Sequence, residues 1–308
     1  MDGLLPLVVP AVLGGAARPL SGWLPPRTAT WLLTVTGAVL ALASTATLAV
    51  IALGGALRLP PIARFGHLSE HVLRHGAQTS ASAAALAAAV LVTSLGMALH
   101  AAVTQARALL DASRAARGLP GESVLAIVED EAADAFALAG RPGRIVVSTG
   151  MLAALDPAER KVLFAHEHAH LAGRHHLFRL AAHVTAAANP LLWPLRGSVV
   201  YATERWADES AAAGADRERT ARAIGKAALA RSRRPGLGGG SALGIGSVLD
   251  RGRRPGPLPR RVAALLAPPV PRRGVLVAVT VALVAWSVLA ANDGAIDLHQ
   301  LIEHAQAG

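Results

Sequence analysis

Cysteine is absent from the 308-residue chain, which excludes a disulfide framework, a Cys-ligated zinc, an Fe–S cluster and a thiol nucleophile. Any metal site must be built from His, Glu and Asp. Charge is scarce too: 16% of residues are charged and 53% hydrophobic, where a soluble domain usually carries about 25% charged residues. Such a composition favours a chain with much of its length in lipid and excludes intrinsic disorder. No Gly-x-y period or fixed-length repeat occurs, which removes collagen and solenoids. Aromatic residues reach only 3%, so there is little from which to build a base-stacking platform. Against this apolar background, 30 basic and 20 acidic residues leave a net charge of +10.

Three stretches are long and apolar enough to span a bilayer. Trp31 to Leu57 holds no charge and as a helix would be about 40 Å long, enough for a ~30 Å hydrocarbon core with some tilt. The second lies at about 80–104, with His100 as its one titratable group. The third is residues 274–292. A shorter run at 3–17, interrupted by Pro6, Pro10, Gly14 and Gly15, is expected to be a first span. A signal peptide competes for that run, but Met1-Asp2 stands where a positive n-region belongs. The tail, 293–308, should then be short and extracytoplasmic.

Residues 105–273 read as a water-facing domain. Ser123 to Val128, Ala135 to Leu138 and Arg144 to Ser148 look like short strands between Gly and Pro turns. Asp156-Pro157-Ala158-Glu159 then supplies an N-cap, a Pro at the first helical position and a Glu at the third, which predicts a helix through Arg160 to Arg174 or beyond. Leu177 to Leu195 is apolar but contains Arg179, His183, Pro190 and Pro194, so it is read as lying against the membrane surface rather than crossing it. Tyr201 to Ala213 reads as a further helix. Residues 232–261, rich in Gly, Pro and Arg, read as a mobile loop.

All of the net charge belongs to this domain: Gln105 to Arg273 holds 25 basic and 15 acidic residues, the rest of the chain five of each. Arginines near span ends decide orientation, and Arg107, Arg114, Arg117, Arg260, Arg261, Arg272 and Arg273 all flank the domain. The positive-inside rule therefore predicts a cytoplasmic domain.

Within the capped helix stands His166-Glu167-His168-Ala169-His170. Residues four apart share a helix face, so His166 and His170 can offer two imidazoles to one Zn²⁺, and Glu167 can reach a water on that metal. Zinc lowers the pKa of bound water toward ~7, and a neighbouring carboxylate can take its proton as it attacks a peptide carbonyl. Roughly 0.015 chance matches are expected in a chain of this composition, so the motif is specific enough to lead the reading. Catalytic zinc needs a third protein ligand. Glu204 is the candidate, because a helix there would put Glu204 and Asp208 on one face, with Asp208 orienting a ligand histidine. The competing reading of this pair is two carboxylates on a solvated face.

Other titratable residues have weaker cases. His168 lies about 200° round the helix from His166 and points away from the metal. His175, His176, Tyr201 and Arg205 are candidates for stabilising an oxyanion. His67, His71 and His75 are four apart, a spacing that suits metal binding or pH response and equally a solvated helix face.

The chain resembles the membrane zinc endopeptidases of the CAAX prenyl protease and HtpX type. The resemblance rests on HEHAHLAGRHH, on ERWAD beginning 34 residues after His170, and on AFALAGRPGRIVVSTGML upstream. With the domain placed before the last span, the layout is closer to the related BlaR/MecR antibiotic-sensing metallopeptidases, gluzincins of the same type. The resemblance implies His166, His170 and Glu204 as zinc ligands and Glu167 as general base. It also implies Ala135, Phe136 and Ala137 as an edge strand to which an extended substrate adds by backbone hydrogen bonds. The family often has Asn before this Ala-Phe; here it is Asp134. BlaR/MecR proteins continue into a large extracellular penicillin-binding domain, whereas 16 residues follow Asn292, so β-lactam sensing by that route is not expected.

The expected fold is mainly α: a multi-pass helical membrane protein with a cytoplasmic α+β zincin-like metallopeptidase domain. The expected function is an integral-membrane, zinc-dependent endopeptidase with one Zn²⁺ per chain, acting in regulatory signalling or quality control. Its partners would be the lipid bilayer and a membrane-associated or cytoplasmic protein substrate, with a cytoplasmic repressor and the chain itself among the candidates. One alternative is a non-proteolytic membrane sensor that keeps the zinc for structure. A basic nucleic-acid-binding protein is another, without a recognised DNA or RNA motif to support it. Transport is a third, but no span carries paired carboxylates near its middle.

Overall fold

The structure, a computed structural model, describes residues 4–65, 80–121, 123–141, 143–233, 257–271 and 273–307. His67, His71, His75 and most of the 232–261 segment lie outside the described residues. Among the described residues, four helices are long and apolar enough to cross a membrane: α1 (Leu5–Trp23), α2 (Pro26–Ala56), α4 (Ala81–Gly118) and α11 (Gly274–Ala307). A short α3 (Pro60–Phe65) follows α2. The residues form a multi-pass helical membrane protein carrying a small α+β domain.

Several boundaries differ from the sequence reading. The first apolar run extends to Trp23, because Pro10 and Pro19 are accommodated inside α1 and the helix ends only before Pro25-Pro26. The boundary expected at 104/105 falls inside α4, a single helix through Gly118; helix-favouring Ala, Leu and Arg carry it past the apolar segment. The tail expected after residue 292 continues α11 to Ala307 for a similar reason, since no Pro interrupts it and Gly294 is tolerated.

The larger surprise is residues 177–195. They belong to α7 (His175–Ala188) and α8 (Trp193–Ala212), joined by a 3₁₀ turn at Pro190–Leu192. This hairpin is driven into the apolar bundle, where Phe178, Ala182, Leu192, Leu195 and Val199 share one core with Leu13 and Leu20 of α1 and Leu33 and Leu40 of α2. Asn189 at its tip donates to the Ser44 hydroxyl at 3.0 Å. Ser44 in turn donates to the Pro6 carbonyl at 2.6 Å and to that of Leu40 at 2.7 Å. Pro10, four residues after Pro6, has no N–H to offer that carbonyl, so the hydroxyl satisfies a group that would otherwise be costly in an apolar bundle. Gly14 has a direct packing reason, since a Cβ there would collide with the Leu191 carbonyl.

The domain begins with a three-stranded sheet, β1 (Leu125–Val128), β2 (Ala135–Leu138) and β3 (Arg144–Ser148), in the order β1-β3-β2. β3 is buried throughout, parallel to β1 and antiparallel to β2, with Ala135 opposite Val147 and Ala137 opposite Ile145. β2 is therefore an edge. After α5 (Thr149–Ala154), α6 (Pro157–Ala172) packs on the sheet through Leu163, which shares a core with Ile145, Val147 and Met151. Its N-terminus carries the reciprocal cap foreseen in the sequence: Asp156 accepts from Ala158 and Glu159, and Glu159 accepts from the Asp156 N–H. Those backbone donors, the Glu159 N–H foremost, hold the Asp156 carboxyl below its ordinary value of 3.8. A depressed carboxyl stabilises the fold above its unfolded pKa and loses that contribution as pH falls through the folded value. Asp156→Ala should thus lower the thermal midpoint at pH 7, and the gap to the parent should close in scans below about pH 4.

The helix expected to run past Arg174 stops at Gly173. Arg174 adopts a left-handed conformation (φ 49°) that turns the chain into α7. Two helices complete the domain, α9 (Arg217–Arg233) and α10 (Pro257–Leu266). Residues 257–261, read as loop, thus begin a helix, and Leu265 is its buried contact. α10 packs on α8 and α9.

Candidate metal centre

α6 and α8 lie side by side, and this contact brings the two halves of the motif together across 34 residues of sequence. His166, His170 and Glu204 offer ligand atoms that all lie within 4.8 Å of one another. The Nε2 atoms of His166 and His170 are 3.2 Å apart. Glu204 Oε1 is 3.4 Å from His170 Nε2, and Oε2 is 3.9 Å from His166 Nε2.

Both imidazoles are held from behind. Asp208 Oδ1 lies 3.0 Å from His166 Nδ1. His170 Nδ1 meets His175 Nδ1 at 2.8 Å, a partner the sequence reading did not assign. Burial, then the nearby Arg179 guanidinium, pushes the His175 imidazole down to about 4, so at neutral pH it is uncharged and its Nδ1 can accept a hydrogen bond from the His170 Nδ1–H. With each Nδ1 engaged, each Nε2 faces the shared centre. Desolvation also holds His170 well below its ordinary range, whereas at His166 burial is outweighed by Asp208, Glu167 and Glu204 acting together, which raise it.

Glu204 is gripped by two arginines. Arg179 of α7 reaches Oε1 and Arg261 of α10 reaches Oε2, each at 2.5 Å. Burial pushes the Glu204 carboxyl up, but Arg261, His170, Arg179 and His166 together hold it well below the usual range. Arg261 also forks onto Asp208, Nε to Oδ2 at 2.7 Å and Nη2 to Oδ1 at 2.6 Å. One guanidinium thus binds two carboxylates one helical turn apart.

Glu167 is buried beside this cluster, and desolvation raises its carboxyl above the ordinary value. It lines a small cavity of about 70 Å³ with His166, Glu204, Arg231, Leu258 and Arg261. Arg231, from the last turn of α9, binds the Asp134 carboxylate at 3.1 Å and the Ala135 carbonyl at 2.7 Å. The start of β2 is thereby tied to the rim of the cavity, and Asp134, where the resembled family often has Asn, faces a positive partner.

The remaining candidates fall elsewhere. His168 is exposed, and with His176 it lines a separate cavity beside Arg141 and Arg174. Tyr201 is buried with its ring 4.1 Å from the Arg260 guanidinium. Arg205 turns from the cluster toward α1. The residues that sequence reasoning missed are Arg179, Arg231, Arg261 and His175 in its bracing role. A signal existed for Arg179: a charge inside an apolar run is costly unless it has a buried partner. Arg261 offered none, because as one of several arginines near a span end it already had an explanation.

A family model described as Peptidase family M48 matches residues 100–266, more than half of the chain. Comparison with curated proteins and with solved structures finds no match.

Proposed function

Since the chain belongs to peptidase family M48 and is thus a metallopeptidase, we propose that it is an integral-membrane, zinc-dependent endopeptidase. The observation that carries this reading is the spacing of the donor atoms. Bonds of about 2.0–2.1 Å at tetrahedral angles set ligand atoms about 3.3 Å apart. Here the two imidazole nitrogens stand 3.2 Å apart, and Glu204 brings Oε1 to 3.4 Å from one and Oε2 to 3.9 Å from the other, so its carboxylate straddles the place a shared ion would take, with the Glu167 carboxylate alongside. Two imidazoles and one carboxylate without any thiolate also make a catalytic zinc set that leaves a position open.

When bound, zinc supplies Lewis acidity and an acidified water. The protein supplies the rest. His166, His170 and Glu204 hold the ion, while Asp208 and His175 fix the imidazoles. Glu167, whose burial raises its proton affinity, takes a proton from the attacking water and returns it to the leaving amine. An extended segment of substrate adds along β2, where Ala135, Phe136 and Ala137 present the edge, and this favours an endopeptidase. The domain faces the cytoplasm, as the arginines at its borders favour. Its substrates are membrane-associated or cytoplasmic proteins, the chain itself among them, cut for signalling or quality control.

The test is cleavage of an unfolded model protein by the purified chain in detergent. Treatment with 1,10-phenanthroline should abolish turnover, and a stoichiometric return of Zn²⁺ should restore it. Turnover that survives removal of bound metal to below a tenth of an equivalent would refute the reading.

A further inference from the structure

Next to Glu204 in sequence is a buried cation that faces the other way. Arg205 is 3% exposed and has no carboxylate partner among the described residues. Its Nη1 instead donates to three carbonyls at the end of the first membrane helix: Ser21 at 2.8 Å, Leu24 at 3.3 Å and Gly22 at 3.5 Å.

The need for that donor is written in the sequence of α1. Ser21 and Gly22 would ordinarily accept from residues four further on, but these are Pro25 and Pro26, which have no N–H. α1 has no basic residue in its own last turn to answer the negative end of its dipole. Arg205 supplies both the missing donor and the missing charge from a helix 180 residues away in sequence. The neighbouring side chain deepens the contact: Trp206 packs on His175, with ring centroids 4.7 Å apart, while Arg27 at the start of α2 lies 5.4 Å from the Trp206 ring. His175 is the residue that braces His170. Successive residues of one turn of α8 therefore face a metal-ligating cluster and the α1–α2 turn.

We propose that Arg205 is a positioning residue that ties the C-terminal end of α1 to the Glu204-bearing turn of α8, so that the seat of α1 in the membrane bundle sets how tightly the site holds its metal. This rests on the zinc reading above. Because α8 is pinned on one side by Arg261 and on the other by Arg205, its rotation about its own axis is fixed. Loss of the Arg205 contacts frees one of those pins.

The test uses the full chain in lipid nanodiscs. Parent, Arg205→Ala and Arg205→Lys are compared for zinc affinity by competition with a chromophoric chelator. In parallel, spin labels on cysteines introduced at exposed Trp23 and Ser210, sites the cysteine-free chain leaves unambiguous, report the α1–α8 separation. Arg205→Ala should weaken zinc binding about 10- to 100-fold and broaden the label distances. Arg205→Lys should recover part of both, because an ammonium keeps the charge and N–H donors but sits on a shorter side chain than the guanidinium nitrogen that reaches these carbonyls. Unchanged affinity in Arg205→Ala overturns the inference, as does weaker affinity with unchanged label distances. A parent that binds no zinc at all would overturn the metal reading along with it; a parent that binds zinc normally while the variants match it would overturn the tie alone.

Discussion

Replacing Glu167 with Gln should lower peptide hydrolysis by about 10²- to 10⁴-fold while leaving zinc content at the parent level. Glutamine keeps the shape of the side chain and its place in the cavity beside His166 and Glu204. It cannot accept a proton from water, so general-base assistance is lost and metal binding is not. Position 167 contributes no atom to the cluster of His166, His170 and Glu204. Burial favours the neutral amide over the carboxylate, so the variant should also be at least as stable as the parent to heat. Single-turnover cleavage of an unfolded model protein, with metal analysis of the same preparation, measures both. Parent-like turnover would refute the assignment of Glu167 and favour a structural zinc in a non-proteolytic sensor.

Arg261→Ala should be the most destabilising substitution of a residue outside the two motifs. Arg261 is largely buried, and its removal leaves the Glu204 and Asp208 carboxylates facing each other without their shared cation. Breaking a buried pair by deleting one partner costs about 3–5 kcal/mol. Arg179 still reaches Glu204, but no other arginine reaches Asp208 among the described residues. Zinc bound as proposed would neutralise Glu204 as well, so the loss should be larger in the metal-free chain than in the loaded one. Thermal unfolding of parent and variant, each with and without zinc, gives the four values needed. Equal losses in both states would show that Arg261 acts on Asp208 alone, and no loss in either would refute its role in the cluster.

The local chemistry was legible because it depends on residues close in sequence. The capping box at Asp156 and Glu159 marked where the helix of His166 and His170 begins, and four-residue spacing put both histidines on one face whatever packs around them. The edge character of β2 came through the resemblance and not through its own residues, since strand order depends on which strands pair and not on their composition. Glu204 lay between these cases. Spacing within ERWAD could put it on one face with Asp208, but nothing local distinguished a ligand from a solvated carboxylate; the contact of α6 with α8 takes it out of solvent and to within 3.4 Å of His170.

The arginines show the limit most plainly. As sequence, Arg179, Arg205, Arg231 and Arg261 each add one charge to a total of +10, and that sum bears on topology. In the folded chain each has its own set of partners: Glu204 for Arg179, the end of α1 for Arg205, Asp134 and the start of edge strand β2 for Arg231, and Glu204 together with Asp208 for Arg261. Composition and periodicity suffice for the spans, the motif and its chemistry, because hydrophobicity and helical repeat act along the chain. A buried charge takes its meaning from whatever lies within about 3 Å of it, and here those groups come from as far as 184 residues away.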